Sequence, residues 1–320
     1  MAKEAVSEDE FIEIWNRLRS PTAIAELLKQ HVRSVQSRRS NIEAKRGIKL
    51  AIERRITPQT TVRHNAAVID YTIDDGIVII GSDAHIWPGP LTTVQRAFIE
   101  MCKRLKPAAV IANGDFADLP GASRWPSLSW NDLRRKPTIK DEISAVQDYL
   151  GAVVAATPGA EHLWPAGNHD LRFAALLTQL VPQYEGVVGM ELKDHFPAWR
   201  SCWRVDINGS VIVRHRELGG EHADYRNTQT QGVTLVTGHD HRIGVTPFRG
   251  YRGVTYGVRC GHMCDGSDDP QFVEYLESKA PNWNPGFVVL SFKNGELLYP
   301  ELVTKHRDGV VCWRGELIEV

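Results

Sequence analysis

Cysteine is scarce. Cys102, Cys202, Cys260, Cys264 and Cys312 are too few, too scattered and odd in number for a disulfide framework, which excludes a small cross-linked scaffold. A reducing compartment fits that usage. Long apolar runs are missing too: none approaches the ~20 residues of a membrane span. The acidic stretch from Met1 to Phe11 has no apolar core of a signal peptide. The expectation is a cytoplasmic protein with no membrane partner. An excess of one charge is also absent, with 38 basic against 39 acidic residues, so the chain as a whole is no basic nucleic-acid coat, whatever its local patches. There is no internal repeat and no low-complexity tract. No Gly-Lys-Ser/Thr pattern follows Gly219-Gly220, so that pair reads as a turn rather than a phosphate loop. What remains is 42% hydrophobic and 24% charged, an ordinary globular composition. At roughly 150 residues per domain the length allows two.

Charge is uneven at the start. Residues 1–28 hold three basic and six acidic side chains, whereas residues 29–55 hold nine basic and two acidic ones. Phe11, Ile12, Trp15 and Leu18 recur at helical spacing. Ser20-Pro21 marks the start of a second helix that runs through Leu28. A third helix is expected up to Gly47, with Val32, Val35 and Ile42 inward and Arg33, Arg38, Arg39 and Lys45 outward. Residues 21–46 resemble a helix-turn-helix, with Ala25, Val32 and Val35 at its buried positions and Lys29 where its turn favours Gly. That resemblance implies DNA contact through Arg33, Gln36, Arg38 and Arg39 on the outer face of the second helix of the motif. The expected domains are a helical module over 1–60 and a catalytic domain over 66–320.

From residue 66 onward, short β-rich runs alternate with helical patterns. Gly76–Gly81, Ala108–Ala112, His162–Pro165, Val211–Arg214 and Thr234–Thr237 read as strands, and Thr92–Leu105, Ile139–Ala156 and Leu171–Leu180 as helices. Further strands are expected in the C-terminal part, around Phe287–Phe292 and Glu296–Val303. This alternation predicts a layered α/β domain.

Acidic residues and histidines recur where these strands end. The segments are Asp83-Ala84-His85, Asn113-Gly114-Asp115 with Asp118, Gly167-Asn168-His169-Asp170, His215, and Gly238-His239-Asp240-His241. Five strand ends thus deliver oxygen and imidazole groups to one sheet edge, where α/β sites tend to form. Mixed imidazole and carboxylate donors without thiolate suit Mn, Fe or Zn rather than Ca.

In that order and at those residues the chain resembles the calcineurin-like metallophosphoesterases, whose motifs run Asp-x-His, Gly-Asp-x-x-Asp, Gly-Asn-His-Asp/Glu, a lone His and Gly-His-x-His. The resemblance implies a layered sandwich of two sheets flanked by helices, and a centre of two divalent ions, Mn first, with Fe, Zn or Ni as alternatives. It implies Asp83, His85, Asp115 and His241 at one ion, and Asp115, Asn168, His215 and His239 at the other. By the same carry-over His169 is the catalytic imidazole and Asp118 its carboxylate partner. Arg216 follows His215 where the family has Gly, and His222 competes with His215 for the fourth motif. The stretch 119–138 is longer than usual, and its Arg124, Arg134 and Arg135 are candidate substrate contacts beside Trp125 and Trp130. Cys260-Gly261-His262-Met263-Cys264 reads as a packed segment, because no second pair stands at zinc-finger spacing.

The implied activity is hydrolysis of phosphodiester bonds, in DNA by the first reading, through a hydroxide bridging two metals. One alternative is a phosphatase or phosphodiesterase for a small nucleotide or phosphoprotein. The other is a DNA-binding regulator with an inactive core. Together with the segment Asn282 to Phe287, the whole chain looks like a phage-encoded enzyme of the host cytoplasm. Its oligomeric state is open, a dimer included.

Overall fold

The structure, a computed structural model, describes residues 6–51, 67–123, 136–251, 253–264 and 282–320. The chain divides into two compact units, Met1–Val62 and Arg63–Val320.

Among the described residues the first unit holds three helices, α1 (Glu8–Leu18), α2 (Pro21–Leu28) and α3 (Val32–Arg46). Ser7 and Glu10 form a capping box at the start of α1, and Ser20 caps α2 ahead of Pro21. Lys29 ends α2 in the left-handed region at φ +50°, which explains why a glycine would suit that turn. Phe11, Trp15, Ile24, Ala25, Val35 and Ile42 form the core between the helices.

The basic face differs from the expectation. Arg33 and Gln36 are exposed, but Arg38 and Arg39 are half-buried and turned into the unit. The Arg38 guanidinium lies 4.8 Å over the Phe11 ring and donates to the Val6 carbonyl. Arg39 lies 5.2 Å over Trp15, its Nε 2.9 Å from Glu43. Lys45 and Arg46 pair with Glu8 and Asp9, so the basic last turn of α3 meets the acidic first turn of α1. The cation–π contacts are worth about 0.5–1 kcal/mol at such partly exposed positions, and the exposed pairs of Lys45 and Arg46 add little. Arg38 and Arg39 thus fold over Phe11 and Trp15 instead of standing free on the outer face.

The second unit opens with β1 (Ile69–Tyr71), β2 (Gly76–Gly81), α4 (Thr93–Leu105) and β3 (Ala109–Ala112). Then come α5 (Ile139–Ala156), β4 (Glu161–Pro165), α6 (Arg172–Leu180), β5 (Arg200–Cys202), β6 (Val205–Ile207) and β7 (Val211–Val213). After α7 (Ala223–Gln231) follow β8 (Thr234–Thr237), β9 (Ile243–Gly250), β10 (Gly253–Cys260) and β11 (Gly286–Lys293). The chain closes with β12 (Glu296–Leu297), β13 (Glu301–Arg307), β14 (Val310–Trp313) and β15 (Glu316–Glu319).

Two sheets stand face to face. One runs β15-β14-β13-β11-β2-β3-β4-β5, with β12 beside β11, and the other β1-β6-β7-β8-β10-β9. The stretch β2 to β5 is parallel, and β11 joins β2 antiparallel with Val288 opposite Ile80. The apolar runs of β2 and β3 are buried on both sides, as central parallel strands require. Val78, Ile80, Ala109 and Ile111 point between the sheets toward Val213, Val236 and Val258. Ile79, Val110 and Ala112 point the other way, onto Phe98 and Met101 of α4 and Val146 and Leu150 of α5. The layered α/β sandwich with flanking helices, behind a small all-α unit, is the architecture expected. No helix among the described residues is long and apolar enough to cross a membrane.

Candidate metal centre

The parallel strands β2, β3 and β4 point the same way, so the loops that follow them lie side by side. Backbone bonds sew the first two together: the N–H groups of Asp83 and His85 donate to the carbonyls of Gly114 and Asp115, each at 3.0 Å. The segments after β7 and β8 add His215, His239 and His241. Gly167 stands where only a missing Cβ fits, since a Cβ there would lie 2.1 Å from Asp115 Oδ1 and 2.4 Å from its backbone nitrogen. Gly167→Ala is therefore expected to displace Asp115, weaken metal binding in a titration, and lower stability by about 1–3 kcal/mol in a melting experiment.

Three groups of donor atoms result, each lying within 4.8 Å of one another: Asp83, His85 and His241; Asp115, His215 and His239; and His85, Asp118 and His169. Asn168, in the loop after β4, adds a buried amide oxygen. His222 is exposed at the start of α7 and belongs to none of these groups, whereas His215 is buried among them. Arg124, Arg134 and Arg135 lie outside the described residues, as do Trp125 and Trp130. His262 and Cys264 are buried, with Sγ 3.2 Å from His262 Nδ1, and join no donor group.

Hydrogen bonds fix how the side chains face. Asp83 Oδ2 accepts the His239 N–H at 2.8 Å and has Ser82 Oγ at 2.5 Å. Asp115 Oδ1 accepts the His169 N–H at 2.7 Å. His215 Nδ1 donates to the Asn113 carbonyl at 2.8 Å, which sets its tautomer and turns the Nε2 lone pair toward Asp115 Oδ2, 3.1 Å away. Asp118 Oδ1 sits between two imidazoles, 2.6 Å from His169 Nδ1 and 3.0 Å from His85 Nδ1.

These atoms suit cations. Asn168 Oδ1 and His241 Nδ1 are buried without a hydrogen-bond partner among the described residues. Asp83 Oδ1 and His215 Nε2 make no hydrogen bond either, although His241 Nε2 and Asp115 Oδ2 stand 3.2 and 3.1 Å from them. Donor atoms that converge at such distances without bonding each other are arranged for a common third partner. Strain points the same way. Asp83, His85, Asp115, His239 and His241 all have left-handed backbones, with φ between +40° and +73°. Side chains other than glycine hold that conformation only where their surroundings enforce it.

The charges agree. Burial alone would raise Asp83, but His215, His241 and His85 around it outweigh burial and hold it below the usual carboxylate range. Asp115 behaves likewise and falls to about 2, burial being outweighed by His215 and His169. Burial would lower His215, yet Asp115 and Asp83 push it up to about 10. His169 is raised because Asp118 outweighs its burial. Asp118 lies well below the usual range, burial being overcome by the hydrogen bonds from His169 and His85.

Sequence reasoning gave no role to Asp170, Arg172, Ser82 or Asn113. Asp170 is a buried hub: it accepts the N–H groups of Asp115 and Gly167 at 2.9 Å, of Ala117 at 3.2 Å and the Trp164 indole at 3.0 Å. Burial and nearby Asp115 push it up to about 6. Its signal was its place as the last residue of Gly-Asn-His-Asp. Among the described residues two tryptophans border the centre. Trp87 Nε1 is 3.4 Å from Asp118 Oδ2, and the Trp283 ring centroid is 4.3 Å from that of His241.

No known family profile matches the chain. It is similar to the Gene 54 protein of Mycobacterium phage D29, 27% identical over 250 residues that cover 71% of this chain and 92% of that protein. The Gene 54 protein of Mycobacterium phage L5 is 25% identical over 253 residues, with the same coverage. Among solved structures, wild-type Vps29 of Entamoeba histolytica complexed with Zn is 14% identical at a TM-score of 0.38, covering 76% of this chain and 98% of its own. A novel archaeal phosphodiesterase is 15% identical at a TM-score of 0.36, covering 71% of this chain and 99% of its own.

Proposed function

We propose that the second unit is a dinuclear metal-dependent phosphoesterase that hydrolyses phosphodiester bonds. The observation that carries this reading is the pair of donor triads, Asp83, His85 and His241 beside Asp115, His215 and His239, where strands β2 and β3 of one sheet and β7 and β8 of the other end. Asp83, His85, Asp115 and His241 would hold one ion, and Asp115, Asn168, His215 and His239 the second. Imidazole, carboxylate and amide donors without thiolate suit Mn, Fe or Zn, and the family resemblance puts Mn first with Ni as an alternative. Two such ions supply positive charge to the phosphoryl oxygens and acidify water toward neutral pH.

The chain's own groups do the rest. His169, next to the ligand Asn168, gives a proton from Nε2 to the leaving oxygen. Asp118 Oδ1, 2.6 Å from His169 Nδ1, keeps the ring oriented and favours its charged form. Asp170 holds the backbone of Asp115 and Gly167 so that the loops after β3 and β4 keep their spacing. His239 is exposed, which leaves the centre open to substrate.

DNA is the substrate of first choice, with the three-helix unit as its binding module and exposed Arg33 and Gln36 as contacts. The internal pairing of Arg38, Arg39, Lys45 and Arg46 leaves that unit less free charge and favours, as a second reading, a small nucleotide substrate. A panel of bis-p-nitrophenyl phosphate, p-nitrophenyl phosphate, and single- and double-stranded DNA, each with Mn and with chelator, separates these. Expected is metal-dependent cleavage of the diester and of DNA, with Arg33→Ala weakening DNA binding and reducing its salt slope by about one contact's worth. Diester hydrolysis without DNA cleavage would leave the small nucleotide. No metal-dependent hydrolysis of any of the four would overturn the enzyme reading.

A further inference from the structure

Arg172 opens α6, and that helix buries none of its residues, so the arginine is not there to anchor a core contact. Its guanidinium reaches back across the catalytic imidazole. Nη1 donates to the Asp118 carbonyl at 2.8 Å and lies 3.6 Å from Asp118 Oδ1. Nη2 donates to His169 Nε2 at 3.1 Å. That same Nε2 lies 3.9 Å from Asp115 Oδ2, the carboxylate placed between the two triads. One edge of a fixed positive charge therefore stays with Asp118, while the other sits at the rim of the centre on a ring nitrogen.

We propose that Arg172 is a substrate-binding residue that grips a non-bridging oxygen of the phosphoryl group, with His169 Nε2 as its resting partner. The proposal rests on the phosphoesterase reading for its substrate class. An imidazole lone pair is a weaker acceptor for guanidinium than an anionic phosphoryl oxygen, whose bond is charge-assisted on both sides. An arriving phosphoryl group takes Nη2 from His169, while Nη1 keeps its bond to the Asp118 carbonyl as a pivot. The exchange frees His169 Nε2 to take up a proton from solvent, with Asp118 beside Nδ1 favouring the charged ring, and to face the leaving oxygen with it. Binding of substrate and exposure of the imidazole then become one event, governed by a single side chain.

The test compares the full-length Mn-loaded protein with Arg172→Gln and Arg172→Lys, after metal content and melting temperature have been matched. Inorganic phosphate is titrated by calorimetry, and KM and kcat are measured on bis-p-nitrophenyl phosphate. Arg172→Gln is expected to weaken phosphate about 10- to 100-fold, the usual loss for one hydrogen bond to a charged group, and to raise KM in parallel. Arg172→Lys should recover part of both. If Arg172→Gln binds phosphate within twofold of wild type and loses only kcat, Arg172 positions His169 and does not touch substrate. A wild-type protein that binds no phosphate also overturns the proposal. Phosphate binding that depends on Arg172 in a protein that hydrolyses no ester would uphold the grip and sink the enzyme reading alone.

Discussion

Asp115→Asn is expected to reduce the metal content from two ions per chain to one or none, and turnover of a phosphodiester by roughly 10³-fold. Asp115 is the donor proposed for both ions, and its two oxygens are already assigned. Oδ1 accepts the His169 N–H at 2.7 Å, and Oδ2 faces His215 Nε2 at 3.1 Å. Asparagine keeps the first contact through its amide oxygen and puts an uncharged NH2 where the second oxygen stood. The loop geometry should survive, because the Asp115 backbone is held by Asp170 rather than by its own side chain. Elemental analysis alongside circular dichroism and steady-state kinetics checks the outcome. Full activity with two bound ions would remove Asp115 from the centre.

His169→Asn should behave oppositely: metal content unchanged, rate lower by roughly 10²–10⁴. His169 neighbours a proposed ligand, but its ring bonds Asp118 at 2.6 Å and Arg172 at 3.1 Å. The deficit should shrink for esters of p-nitrophenol, a leaving group that departs without a proton, and stay large for an alkyl or nucleoside leaving group. A plot of log rate against leaving-group pKa for wild type and variant reads this directly. Equal deficits across the series would deny His169 the role of acid. Loss of metal in the variant would make it a ligand.

Much of the centre was legible because strand ends announce themselves. Apolar runs such as Ile77–Ile80 and Ala109–Ala112 stop abruptly at Ser82-Asp83 and Asn113-Gly114-Asp115, and a buried parallel strand has nowhere else to place polar groups than its end. The start of α2 was equally plain at Ser20-Pro21. Roles that depend on contacts between distant segments were not legible. Asp170 satisfies N–H groups 53 and 55 residues away, and no local pattern marks an acceptor for another loop's backbone. Arg172 reads as an ordinary helix residue until its guanidinium is seen on His169. Arg38 and Arg39 misled for a related reason: helical periodicity tells inward from outward, but a long cationic side chain on the boundary can fold over an aromatic ring on a neighbouring helix. The eight-residue hairpin strands β9 and β10 were also under-read, since half-buried positions along β9 give only a faint alternation.

The strand that completes the centre's bed comes late in synthesis. β2 carries Asp83 and His85 at its end, yet one of its two neighbours is β11, where Val288 pairs with Ile80 about two hundred residues downstream. The Met263 N–H closes on the Asp83 carbonyl across a similar gap. Loop-closure entropy of that size opposes early pairing, so the fold has high contact order around its most strained residues. On the ribosome, β2 and β3 emerge long before β11, with their apolar edge unpaired. Final assembly of the donor groups therefore waits for the C-terminal strands.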